Sequence, residues 1–154
     1  AQVGKGIPYA HLRLYDGHYV CAMRRGHPLA EGTLTLDQFC AARHMLVSFS
    51  GRSFGFIDEA LALIQRKRQV ALTVNQFFTA GHIAAQTDLL TVLPQHFAHA
   101  IGSTDVLAQR PLPFEVPAVH VDALWHRRME SSPAHLWLRQ AVARVAVKAY
   151  APDS

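Results

Sequence analysis

Apolar and polar positions alternate in blocks from Val70 to Pro94, and the blocks predict a strand, a helix and a second strand. Residues 70–74 are apolar and β-branched, as in a strand that is buried on both faces. Residues 89–93 form a second such run, which Pro94 ends, and Asn75 is a candidate N-cap for the helix between them. Two strands joined by a helix indicate a parallel βαβ unit with a right-handed crossover.

The carboxyl end of the first of these strands is a candidate ligand site, because open α/β sheets bind ligands beyond the ends of their strands. The predicted loop 75–81, NQFFTAG, carries two aromatic side chains, polar side chains and a glycine, which suits a small-molecule pocket. The alternative is that Phe77 and Phe78 are ordinary core residues.

The same alternation continues along the rest of the chain. Strands are predicted at 12–24, with a turn at Asp16-Gly17, at 44–49, at 107–114 as an edge strand, and at 116–125 with a turn inside. Helices are predicted at 34–42 with Thr33 or Thr35 as cap, from Phe56 to about 68, at 95–101 closed by Gly102, and from Pro133. Repeated β and α segments predict an α/β fold.

The predicted helix from Phe56 has its apolar positions at Ile57, Leu61 and Ile64. Acidic residues fall in its first turn and the basic run 66–68 in its last, which matches the helix dipole. The other basic pairs are also interpreted as solvated charge at the ends of elements.

Composition limits the class of protein. The chain has 154 residues, half of them hydrophobic, and a formal net charge of +4, which fits one globular domain and does not indicate a nucleic-acid platform. Cys21 and Cys40 lie among apolar residues and are predicted to be free. No apolar run approaches the ~20 residues of a membrane span, and no signal peptide is visible, so a cytoplasmic location is the default expectation.

One catalytic motif is formally present. The segment GRSFG, residues 51–55, matches G-x-S-x-G between a predicted strand and a helix, as a nucleophile elbow would. A triad could use Ser53 with Asp88 or Asp105 and His120 or His126, so an α/β-type serine hydrolase is the alternative function. The other interpretation of this loop is that its free N–H groups bind an anion.

No metal or cofactor motif is predicted. His96 and His99 could share a helix face, but no Asp, Glu or Cys accompanies them at ligand spacing. No glycine-rich phosphate loop is present.

An ordered set of segments extends from about Leu12 to Val145, and it resembles the effector-binding domain of LysR-type transcriptional regulators. The segments are YVCAMRRGHPLA, TLDQF, HMLVSFSG, GFIDEALA, RQVALTV, QTDLLTVLP, RPLPFEVPAVHVDALWHRR and SPAHLWLRQAV. The resemblance is greatest to the branch that senses small aromatic acids and flavonoid-like inducers.

This resemblance implies two α/β subdomains with a cleft between them, as in type 2 periplasmic binding proteins. It implies a linker or cut end at 1–11, the second subdomain at 12–114 and the return into the first at 115–150. The helix-turn-helix and the earlier half of the first subdomain are absent from this sequence, so a fragment of a larger regulator is expected. DNA binding would then belong to a domain outside this chain.

The resemblance also places two loops at the effector, the same loops that lie at predicted strand ends. The expected binding residues are Ser48, Phe49, Ser50, Gly51, Arg52, Ser53, Asn75, Phe77, Phe78, Thr79 and Gly81. We therefore expect a non-enzymatic sensor of a small aromatic carboxylate that forms a homodimer or larger assembly. A free-standing solute-binding protein of the same fold is a third possibility.

Overall fold

The structure, a computed structural model, describes residues 8–100 and 105–150, and it is mixed α/β as expected. Its backbone divides into two compact units. The larger comprises residues 18–118, and the smaller joins strand β1 (Tyr9–Gly17) to the chain from Val119 onward. This division differs from the expected boundaries at 12 and 115, because β1 pairs antiparallel with β7 (Val119–His126). Part of the expected cut end, Tyr9 onward, is therefore strand.

The larger unit contains a five-stranded sheet in the order β4-β3-β5-β2-β6. Strand β3 runs parallel to both β4 and β5, which confirms the largely parallel arrangement predicted for these three strands. Strand β2 is antiparallel to its neighbours β5 and β6. The strands are β2 (Tyr19–Arg24), β3 (Arg43–Val47), β4 (Gln69–Val74), β5 (Leu90–Pro94) and β6 (Leu107–Pro111).

Helices cover both faces of this sheet. They are α1 (Leu36–Ala41), α2 (Phe56–Leu63), α3 (Phe77–Ala84) and α4 (Gln95–Ala100). Cys21 and Met23 of β2 pack into one buried cluster with α1 and α2, while Val20 and Ala22 pack into the other with α3 and α4. Alternate side chains of a strand point to opposite faces, so the two clusters are the two sides of one sheet.

The predicted βαβ unit is present, but strand β3 lies between β4 and β5. Strand β4 is consequently at the edge of the sheet and half exposed, so the prediction that it is buried on both faces is wrong. Gln76 rather than Asn75 precedes α3, and its side chain makes no cap hydrogen bond.

Local signals locate α1 and α2 unequally well. Thr35 caps α1: its Oγ1 accepts from the Gln38 N–H at 3.2 Å, and Gln38 Oε1 accepts from the Thr35 N–H at 3.0 Å. Helix α2 begins at Phe56 as predicted but ends at Leu63, so the basic run 66–68 lies beyond it. Leu63 and Ile64 are exposed, and only the start of the predicted apolar face is buried.

The smaller unit comprises the β1–β7 hairpin-like pair, a 3₁₀ turn at Arg127–Met129 and helix α5 (Pro133–Tyr150). Strand β7 runs without the predicted internal turn, whereas α5 begins at Pro133 as expected. The predicted closure at Gly102 lies outside the described residues. Among the helices of 8–100 and 105–150, none is both long and apolar enough to cross a membrane.

Candidate ligand-binding site

The carboxyl ends of β3, β4 and β5 lie at one edge of the larger unit's sheet, because the three strands are parallel. The backbone joins two of these ends directly: the Ser48 N–H donates to the Val74 carbonyl at 2.8 Å. Loop 48–55 therefore leaves the sheet beside the start of α3, and α4 begins where β5 ends. This is the edge at which open α/β sheets bind ligands.

Four phenylalanines form a continuous cluster here, which we call the aromatic edge: Phe49, Phe77, Phe78 and Phe97. Ring centroids of Phe49 and Phe77 are 5.8 Å apart, and Phe97 contacts Phe77 at 4.9 Å and Phe78 at 5.4 Å. These distances are typical of interacting aromatic pairs. Phe49 is 78% exposed and Phe78 is 54% exposed, so the cluster presents rings to solvent and is not ordinary core.

The segment expected to be a loop at 77–81 is instead the first part of α3. Asn75 and Thr79 are exposed near the edge, as a binding role requires. Gly81 is buried with Ala80 and Ala84 on the side of α3 that packs against the sheet. It therefore cannot contact a ligand at the edge.

Loop 48–55 is polar and open. The Ser48 and Ser50 Oγ atoms are 3.3 Å apart, and Gly51 has φ of +72°, a conformation that favours glycine. Arg52 and Ser53 are exposed. Within the described part of the chain, the Arg52 guanidinium makes neither a hydrogen bond nor an ion pair, so its charge is available to a ligand.

The N-terminus of α2 already has a carboxylate partner. Asp58 Oδ2 accepts the Gly55 N–H at 2.8 Å, and Arg68 bonds both oxygens of the same carboxylate. Burial opposes ionisation of Asp58, but these bonds and the Arg68 charge outweigh it and lower the pKa of Asp58. The helix dipole is therefore compensated internally, and Arg52 is the group left to attract an anion.

Sequence reasoning missed Phe97 and its neighbour His96, whose rings are 4.8 Å apart on α4. Burial and the nearby His99 lower the pKa of His96. The available signal was that β5 ends at this same edge, so the residues after Pro94 had to begin there. That signal was applied only to the loops after β3 and β4.

The hydrolase alternative lacks its geometry. Within the described residues Gln65 is the only non-glycine with positive φ, so Ser53 does not occupy the strained turn of a nucleophile elbow. No hydrogen bond joins Ser53 to a histidine or a carboxylate there. Asp88 is paired with Arg24 at 2.6 Å, and His120 bonds Asp16 at 2.6 Å in the smaller unit.

Across the described ranges, no group of three or more His, Cys, Asp or Glu side chains is placed to hold a metal ion.

A three-layer sheet whose parallel strands end in an open aromatic edge defines a small-molecule-binding domain of the periplasmic-binding-protein kind. The family model described as the LysR substrate binding domain matches residues 8–147. The chain belongs to this family, as the sequence resemblance predicted.

Similar proteins support that assignment. The HTH-type transcriptional activator NahR of Pseudomonas putida is 34% identical over 128 residues, which are 83% of this chain and 43% of NahR. Among solved structures, a probable transcriptional regulator, PA0477 of Pseudomonas aeruginosa, matches with a TM-score of 0.78 and 28% identity, covering 92% of this chain and 46% of that one. The regulatory domain of MexT, an activator of the same organism, matches with a TM-score of 0.76 and 33% identity, covering 89% and 66%.

The effector-binding domain of BenM, solved with its effector benzoate, shares the fold at 13% identity with a TM-score of 0.68, covering 100% of this chain and 70% of that one. This chain spans less than half the length of the curated relatives it matches.

Proposed function

We propose that the larger unit binds a small aromatic carboxylate at the aromatic edge, and that a longer protein uses this binding to regulate transcription. The observation that carries the proposal is the exposed cluster of Phe49, Phe77, Phe78 and Phe97 at the strand ends. Flat apolar rings stack on such a surface, and large exposed apolar patches mark interaction sites. Ligand binding would favour one conformation of the longer protein, without chemistry on the ligand.

Charge supports a carboxylate in particular. Arg52 lies on the loop that also carries Phe49, and its fork of N–H donors can hold a carboxylate through two bonds. Ser50 and Ser53 of that loop supply further donors, and Thr79 lies on α3 beside Phe78. The proposed site thus comprises the expected residues other than Gly81, with Phe97 added.

The two compact units correspond, in this proposal, to the two subdomains implied by the family. Residues 18–118 would be the second subdomain, and β1 with residues 119–150 would belong to the first. DNA would be bound by a separate domain of the longer protein.

A titration followed by amide chemical shifts tests the site. Benzoate and salicylate are expected to shift resonances of 48–53, 75–79 and 97, with dissociation constants nearer millimolar than micromolar because the edge is open to water. Arg52→Ala should weaken benzoate binding by about tenfold, the equivalent of a lost charge-assisted hydrogen bond. Phe78→Ala should weaken benzoate and neutral benzamide alike, since it removes ring contact.

Arg43→Ala is the matched control, because Arg43 is exposed and begins β3 at the opposite edge of the sheet. Equal binding of benzoate and benzamide with Arg52 intact would contradict the carboxylate role. Shifts that map away from the aromatic edge would contradict the site itself.

A further inference from the structure

A second cavity lies in the larger unit, along strand β6. It has a volume of about 450 Å³ and is lined by Arg25, Ala30, His99 and four consecutive β6 residues, 107–110. This volume is within the ~300–1,000 Å³ of typical small-molecule sites.

The cavity is at the other end of the sheet from the aromatic edge. Strand β2 places Tyr19 opposite Pro94, at the aromatic edge, and Arg24 opposite Leu107. Arg25 follows directly, and its N–H donates to the Val106 carbonyl at 3.1 Å. A ligand here would therefore be separate from one bound by Phe49 and Arg52.

The cationic groups around this cavity are unneutralised. Neither Arg25 nor Arg110 forms an ion pair within the described residues, whereas Arg13, Arg24, Arg66 and Arg68 all do. The neighbouring acidic residues Glu31 and Asp105 are exposed and pair with neither arginine.

Arg110 carries a second, independent signal. Its Nη1 donates to the Gln109 carbonyl at 2.7 Å, but its Nε is buried and has no hydrogen-bond partner. A buried donor without a partner is costly, so the site is incomplete without an acceptor.

We propose that the β6 cavity binds a small anion through a carboxylate or phosphate group, held by Arg110 and Arg25 with His99 as a further donor. Arginine forks match the oxygens of both groups. Ala30, Leu107 and Ala108 give the cavity a short apolar wall, which limits the rest of the ligand to a compact group. The proposal does not depend on the aromatic edge binding any ligand.

Inorganic phosphate is the first probe, titrated into the whole chain at constant ionic strength and followed by amide shifts. We expect saturable shifts at Arg25, at 107–110 and at His99, and none at 48–53. Arg110→Gln and Arg25→Gln should each weaken phosphate binding by about tenfold or more. Arg110→Lys should recover only part of the loss, because lysine keeps the charge but loses the fork.

Arg43→Gln controls for charge loss, and Arg52→Gln controls for the other edge; both should leave phosphate binding unchanged. Arg25→Gln remains informative if Arg110→Gln unfolds, because the Arg25 side chain makes no ion pair within the described residues. Shifts that do not saturate, or an equal effect of all four substitutions, would overturn the site. So would binding of an acidic peptide in the complete absence of phosphate or carboxylate binding, which would make this edge a protein-docking surface.

Discussion

Arg68 and Asp58 form a buried, two-point ion pair. The Nε–Oδ1 distance is 2.9 Å and the Nη2–Oδ2 distance is 3.1 Å, with the two side chains only 1% and 10% exposed. The pair connects the residue before β4 to the first turn of α2, where Asp58 also holds the Gly55 N–H. A charge in a run that sequence reasoning assigned to a solvated helix end is thus part of the interior.

Removing one partner should be expensive. Asp58→Asn or Arg68→Met is expected to lower the free energy of unfolding by about 2–4 kcal/mol, because each leaves an uncompensated buried group. The exposed pair of Arg66 and Asp37 is the matched control, and Asp37→Asn should cost less than about 1 kcal/mol. Urea unfolding followed by circular dichroism measures all three. Equal costs for Asp58→Asn and Asp37→Asn would contradict the assigned burial.

Stability should fall on mild acidification because of His44. This side chain is fully buried; its Nε2 contacts the Phe39 carbonyl at 2.6 Å and its Nδ1 has no partner. Burial lowers its pKa to about 4, assisted by the Arg68 charge. The unfolded chain therefore binds the extra proton first, and stability that is complete above about pH 6.5 is lost as the pH falls toward 4.

The loss should reach up to about 3 kcal/mol over that window, and His44→Gln should flatten it. His11→Gln, at an exposed position of β1, should leave the slope unchanged. Urea unfolding at several pH values between 4 and 8 gives the slopes. An unaltered slope in His44→Gln would show that another group carries the pH dependence.

Only one of the two cysteines should react in the native chain. Both are free, but Cys21 is fully buried and burial raises its pKa to about 12, whereas Cys40 is partly exposed. The thiolate is the reactive form, so Cys21 should be protected. A disulfide exchange reagent at pH 8 should label one thiol rapidly and the second only in denaturant. Rapid labelling that survives in Cys40→Ser would contradict this assignment.

Sequence could predict those features that are encoded locally. The Thr35–Gln38 cap, the start of α5 at Pro133 and the three parallel strands all follow from short-range patterns, and the structure confirms them. The exposed state of β4 could not be predicted, since it depends on β3 lying between β4 and β5. The place of Arg68 depends equally on a contact with Asp58, ten residues earlier.

The candidate site divides in the same way. Strand ends located Phe49, Phe77 and Phe78 in advance, because their positions follow from the βαβ pattern. Gly81 was misplaced because the helix begins earlier than the loop composition suggested. Phe97 joins the cluster through the order of strands in the sheet, which no short segment encodes.

Helix α5 should drive self-association of the isolated chain. Leu138, Val142 and Val145 follow one another at i, i+4 and i+7, so they share a helix face, and all three are exposed. This agrees with the expectation that residues 116–150 expose apolar surface, and a continuous apolar stripe of this kind favours association with another surface. We therefore expect a dimer or larger species at micromolar concentration.

Sedimentation equilibrium measures that association directly. Introducing charge through Leu138→Lys together with Val145→Lys should shift the chain to monomer, because an ammonium group cannot be buried in an apolar contact without a large desolvation cost. Gln140→Lys, at an exposed polar position of the same helix, adds charge without touching the stripe and should leave the assembly intact. A wild-type chain that remains strictly monomeric would refute the prediction, and an assembly that persists in the double variant would move the interface to another surface.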